Sequence, residues 1–177
     1  LALDYEQFWL RFSDGREIIK DILNLSGNPD RHERFVDLLV EEANRAIEEQ
    51  LEAIMPHVES RILPNGARLF MLDVEIFAHR FTFPPPGKTS GEVHDRLVRE
   101  HPGEPIVTIG LGPDFAVLRS RGVMMNIPRM VRELHSEIVG GGVSGGGHLV
   151  VGSIKFVEGM RDVVIESLIK KIGEAPI

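Results

Sequence analysis

Through the first sixty residues apolar positions recur at three- and four-residue steps, and after Arg61 they change to short β-rich runs parted by turns. Beyond the Asp14-Gly15 turn, Ile18, Ile19, Ile22, Leu23 and Leu25 share one helical face, and Gly27-Asn28-Pro29 stops the run. Asp30 is placed to cap a long second helix. Its stripe of Phe35, Leu38, Leu39, Ala46, Ile47, Leu51, Ile54, Met55 and Val58 runs opposite acids and Arg45, as a core-facing surface does. Arg68 to Asp73 predicts a strand after the Pro64-Asn65-Gly66 turn, and Val74 to Phe83 predicts more extended chain. Pro84-Pro85-Pro86-Gly87 reads as a rigid connector, after which Thr89 or Ser90 caps a helix to about Arg99. Strands are expected at Pro105 to Ile109 and Phe115 to Ser120, joined by the Gly110-Leu111-Gly112-Pro113 turn. Asn126 caps a helix through Ile138. A strand from Leu149 to Phe156 and a helix from Glu158 to Ile172, closed by Gly173, follow. This alternation predicts a mixed-sheet α/β domain over residues 63–177, behind a helical lead-in over residues 1–62.

Composition narrows the classes. The chain has 177 residues, 42% of them hydrophobic, enough for one packed domain and too many for a disordered segment. Charges or prolines interrupt every apolar run short of a membrane span, and Asp4, Glu6 and Arg11 break any signal pattern, so a cytoplasmic protein is expected. The absence of cysteine excludes disulfides, thiolate metal sites and a cysteine nucleophile. The net charge of -7 is not that of a general nucleic-acid binder. It is unevenly placed: up to Glu100 there are 12 basic and 19 acidic residues, and from His101 on there are 8 of each. The C-terminal part is therefore the more permissive for phosphates.

The segment with most chemical information is Gly140-Gly141-Gly142-Val143-Ser144-Gly145-Gly146-Gly147-His148. Six glycines in eight positions suit neither a helix nor a strand interior. They suit either a flexible hinge or a loop whose bare backbone approaches an anion. An imidazole directly after the run tilts the balance to the ligand loop, since His148 is placed to hydrogen-bond a phosphoryl oxygen or a metal-bound water.

Gly145-Gly146-Gly147-His148, followed by small and apolar residues through Gly152, resembles the GGGH signature of the DHH-associated C-terminal domain of DHH-family phosphoesterases. Phe115-Ala116-Val117-Leu118-Arg119-Ser120 resembles the strand before it in that family, with one helix between strand and loop. The resemblance covers roughly residues 66–172 and is nearest to the archaeal RecJ-like, GINS-associated nucleases, judged by Pro85-Pro86-Gly87-Lys88 and Thr108 to Asp114. It implies a mixed-sheet α/β fold of the DHH-associated type. It also implies a partner domain, expected upstream of Leu1, that holds Mn²⁺ or Mg²⁺ and activates water. Under the resemblance Arg119 clamps phosphate, the Gly145, Gly146 and Gly147 backbone approaches the scissile phosphate, and His148 contacts it beside the metals. Ser120 is a secondary contact, and Arg121 adds a backbone phosphate contact. Each also has a plain structural role open to it; for Arg119 that is a strand-end ion pair.

No Asp-His-His triplet occurs, so no catalytic residue is assigned and no metal is expected in this chain. Asp73 and Glu75 are a thin metal candidate, and His94 on an amphipathic helix reads as a surface or boundary residue. Gly87-Lys88-Thr89-Ser90 lacks the upstream glycine of a P-loop, that position being Thr82. The expected partners are single-stranded nucleic acid or short oligonucleotides, including dinucleotides. A non-catalytic scaffold for GINS-type replication proteins is the further alternative. The C-terminal module of alanyl-tRNA synthetases is a remoter resemblance.

Overall fold

The structure is a computed structural model, and it describes residues 16, 20, 29–78 and 83–177. The chain divides into two compact units, Leu1–Arg45 and Ala46–Ile177. In the first, residues 29–45 are helical, and Leu38, Leu39 and Val40 are exposed. They belong to helix α1 (Pro29–Ile54), which starts one residue before the expected Asp30 cap. The helix expected over Ile18 to Leu25 lies outside the described residues.

The second unit holds a mixed sheet whose order is β1-β2-β3-β4-β6-β5. Its strands are β1 (Glu59–Ile62), β2 (Arg68–Asp73), β3 (Ile106–Leu111), β4 (Phe115–Arg121), β5 (Ser144–Gly147) and β6 (Val151–Lys155). Only the β2–β3 pair is parallel; every other described pairing is antiparallel. The helices are α2 (Val74–Phe77), α3 (Pro86–Glu100), α4 (Ile127–Glu137) and α5 (Arg161–Gly173), with a 3₁₀ turn at Met55–His57. This is the α/β mixed-sheet architecture expected from the strand–helix alternation.

Side-chain alternation sends the central strands to two cores. Leu69, Val107, Ile109, Ala116, Leu118 and Ile154 pack on one face under α4 and α5. Phe70, Leu72 and Ile106 pack on the other, against Val93 and Leu97 of α3 and Ile47, Leu51 and Ile54 of α1. Ile47, Leu51 and Ile54 supply part of this second core, and they belong to the compact unit that begins at Ala46. Thr89 Oγ1 donates to Gln50 Oε1 at 2.6 Å, and Gln50 Nε2 donates to the Phe77 carbonyl at 2.6 Å, tying the end of α1 to α3 and α2. The three methionines of the 124–130 stretch split between uses: Met125 and Met130 are core, and Met124 is exposed.

Three elements differ from expectation. Val74–Phe77 is a helical turn and not extended chain, because the Asp73 carboxylate accepts from Glu75 N and caps it. Helix α3 begins at Pro86, so Thr89 lies inside it, with its hydroxyl turned to Gln50 and the Pro85 carbonyl. Ser144–Gly147 is a paired edge strand and not a loop. A Cβ at Gly145 would lie 2.2 Å from the Ser153 carbonyl oxygen, and φ there is +146°, so the glycine lets β5 close onto β6. Asn126, at φ +47°, caps α4 as the sequence predicts.

Candidate functional site

On β4, Ala116, Leu118 and Ser120 turn to the α4–α5 core, which leaves Val117, Arg119 and Arg121 on the α3 side. Arg119 is half-buried and lies against Gly91 of α3: a Cβ added there would stand 3.1 Å from Nη2. Its Nε is buried and has no hydrogen-bond partner among the described residues. Leaving a buried donor unmet costs about 1–3 kcal/mol, more for a charged group, so such an atom points to a missing acceptor.

Thr108 sits opposite Arg119 across the β3–β4 pairing, and His94 Nδ1 lies 2.9 Å from Thr108 Oγ1. Both are buried, so His94 lies deeper than the surface or boundary position the sequence suggested. Its position three residues from Leu97 and next to Val93 on the buried side of α3 was the available signal. Burial holds the imidazole below its ordinary value; Asp95 opposes this, and Arg119 and Arg121 add to it. Ser90, one turn before His94, is fully buried and its hydroxyl is also unpartnered among the described residues.

The structure brings Arg119 and the glycine strand to one end of the sheet. Arg119 pairs in register with Val151, the first residue of β6, and Gly147 pairs with Gly152. The turn between β5 and β6 is held, not hinged. His148, Leu149 and Val150 carbonyls accept from Ile127, Met125 and Ser120 amides at 3.3, 2.8 and 2.8 Å, and His148 N donates to Val151 O at 2.7 Å. His148 itself is exposed at this end. On the Arg119 face of β5 stands Gly146, where an added Cβ meets nothing within 4 Å; Gly145 and Gly147 serve the strand contact instead.

Two predicted contacts make structural hydrogen bonds. Ser120 faces the opposite core, 9% exposed, and its hydroxyl donates to the Val123 carbonyl at 2.6 Å. It holds the β4 exit and does not line the Arg119 face. Arg121 is on that face, but Nη2 donates to the His101 and Glu104 carbonyls at 3.4 Å each, bracing the loop after α3.

Asp73 is used up structurally, since one oxygen caps α2 and the other takes Arg161 Nη2 at 3.0 Å, while Glu75 is exposed. Among the described residues no three His, Asp or Glu side chains are grouped to hold a metal. A cavity of about 590 Å³ lies beside this ion pair at the carboxyl ends of β2 and β3, lined by His57, Leu72, Phe77 and Leu111 among others. No helix among the described residues is long and apolar enough to cross a membrane.

No family model matches the chain. A solved structure described as a DHH domain from a member of the s1p family of ribosomal proteins matches with a TM-score of 0.83 at 40% identity, over 98% of this chain. The chain has the fold of this DHH-domain neighbour over nearly its whole length. The match covers 41% of that structure's chain. The uncharacterized protein MJ1198 of Methanocaldococcus jannaschii is 44% identical over 180 residues, which is 97% of this chain and 24% of the relative. The chain thus spans less than half of either protein it resembles.

Proposed function

We propose that this DHH-associated domain grips the phosphates of a nucleic-acid strand for a metal-dependent phosphodiesterase, of the RecJ-like single-strand exonuclease kind. The observation that carries the reading is the buried, unpartnered Nε of Arg119 on a sheet face that also presents the bare backbone at Gly146. A guanidinium with a free edge takes phosphate oxygens in a bidentate grip. His148, at the same end of the sheet on a pinned turn, is the second contact. The metals and the water they activate belong to a partnering DHH domain. The relative in Methanocaldococcus jannaschii supports the archaeal branch. The neighbour's description as a member of a ribosomal-protein family makes RNA the first strand to test. GINS-type replication proteins are the proposed protein partners, in keeping with that branch.

The test is the affinity of a short single-stranded RNA, and of DNA of the same sequence, for this chain and for its Arg119→Ala and His148→Ala variants. Hydrogen bonds to a charged group contribute about 1.5–3 kcal/mol, so the arginine variant is expected to bind roughly tenfold weaker or worse. Equal affinity in all three rejects the site. With Mn²⁺ added, the isolated chain is expected to release no nucleotides; robust release would place a metal site within it.

A further inference from the structure

Resting on the phosphate-binding reading, we infer that the Arg119 face continues to Lys155, which takes a second, distant phosphate, so that the domain reads a strand of several nucleotides and not a terminal phosphate alone. The register carries this. Arg119 pairs with Val151, Val117 with Ser153 and Phe115 with Lys155, while β5 sets Gly146 beside Ser153 and Ser144 beside Lys155. Residues paired in register share a face, and Ile154 and Ala116, between these rows, point into the opposite core. Arg119, Ser153 and Lys155 therefore lie on one face of the sheet.

That face is shaped for a strand. Ser144, Ser153 and Lys155 are exposed, and nothing stands within 4 Å of a Cβ at Gly146. Between the two cations lie Val151, Val117, the Ser153 hydroxyl and the bare backbone at Gly146, and none of the facing positions of β4, β5 and β6 carries a carboxylate. The cations of this face complement a polyanion despite the chain's net charge of -7.

The spacing decides how long the ligand is. Four residues separate Val151 from Lys155, which is about 13 Å at roughly 3.3 Å per residue. With Arg119 packed against Gly91 at one end of this span, Lys155 is placed for a different phosphate of the same strand. A stacked strand rises about 3.4 Å per nucleotide, so several nucleotides are needed to span the two cations, fewer where the strand is unstacked.

The experiment measures binding of oligouridylates of two and six nucleotides to the 177-residue chain and to its Lys155→Ala, Lys155→Arg and Arg119→Ala variants, across a salt series. Lys155→Ala is expected to weaken the six-nucleotide strand several-fold and leave the two-nucleotide strand unchanged, with Lys155→Arg restoring the difference. The salt slope for the longer strand is expected to fall by about 0.7, the value of one phosphate contact on a single strand. Arg119→Ala is expected to weaken both lengths. If Arg119→Ala weakens both but Lys155→Ala weakens neither, or both equally, the extended face is wrong and the phosphate grip stands. If Arg119→Ala changes nothing, the underlying reading fails first.

Discussion

Gly91 of α3 and the Arg119 guanidinium of β4 are in contact: a Cβ at 91 would meet Nη2 at 3.1 Å, Cζ at 3.2 Å and Nε at 3.4 Å. The missing Cβ at Gly91 lets the arginine lie this close to the helix without a shift. Two opposed consequences follow for Gly91→Ala. Within a helix alanine is favoured over glycine by about 1 kcal/mol, so thermal stability is expected to hold or rise slightly. The guanidinium must shift by a few tenths of an ångström, and strand binding is expected to weaken several-fold. A thermal melt paired with a binding titration checks this; unchanged affinity would remove Arg119 from the grip.

The glycines of β5 are unequal, although composition treats them alike. Gly145→Ala forces a Cβ to within 2.2 Å of a backbone oxygen at a φ of +146°, and backbone strain of this kind costs about 1–3 kcal/mol. Gly146→Ala meets open space and is expected to change stability by less than about 0.5 kcal/mol. Urea unfolding of the two variants separates them. The expectation is lost if they are equally stable.

These residues show what was legible in sequence. The run from Gly140 to His148 announced close backbone approach, and the structure supplies it, but mostly between β5 and β6. Glycine content reports that something comes near, not whether it is ligand or strand. The six-residue strand Arg68–Asp73 and the Asn126 cap were readable because their signals are local. Strand Glu59–Ile62 was not, since all four residues are exposed and no apolar alternation marks them. Val74–Phe77 misled because Val74, Ile76 and Phe77 favour strands, while the Asp73 cap that turns them helical is one side-chain hydrogen bond. His94 was read as a surface or boundary residue on an amphipathic helix, and it is buried. Its actual neighbour, Thr108, is fourteen residues away on another element, and such a pairing leaves no trace in a local pattern.

Asp73 joins two roles, so its loss should exceed that of its partner. Asp73→Ala removes the cap of α2 and the contact with Arg161, and the cost is expected at about 1–2 kcal/mol. Arg161→Ala removes only the partly exposed ion pair, worth up to about 1 kcal/mol. Denaturant unfolding of both single variants and the double variant checks the ranking. Equal losses would mean that the cap contributes nothing.

His94 gives the fold a pH dependence whose sign is fixed by its burial. The folded imidazole titrates below its ordinary value of 6.5, whereas in the unfolded chain it returns to that value. Above about pH 6.5 both states hold the ring neutral, and His94 adds no slope. As pH falls below 6.5, the unfolded chain binds a proton that the folded chain does not, so stability drops with each step down until the lowered folded value is passed. His94→Gln keeps a hydrogen-bonding group facing Thr108 and removes the titration. Between pH 7.5 and 5 the wild-type chain is expected to lose stability faster than the variant, as read by urea midpoints at each pH. Parallel curves would show that the imidazole is free to charge in place, and that neither burial nor the nearby Arg119 and Arg121 keep it neutral.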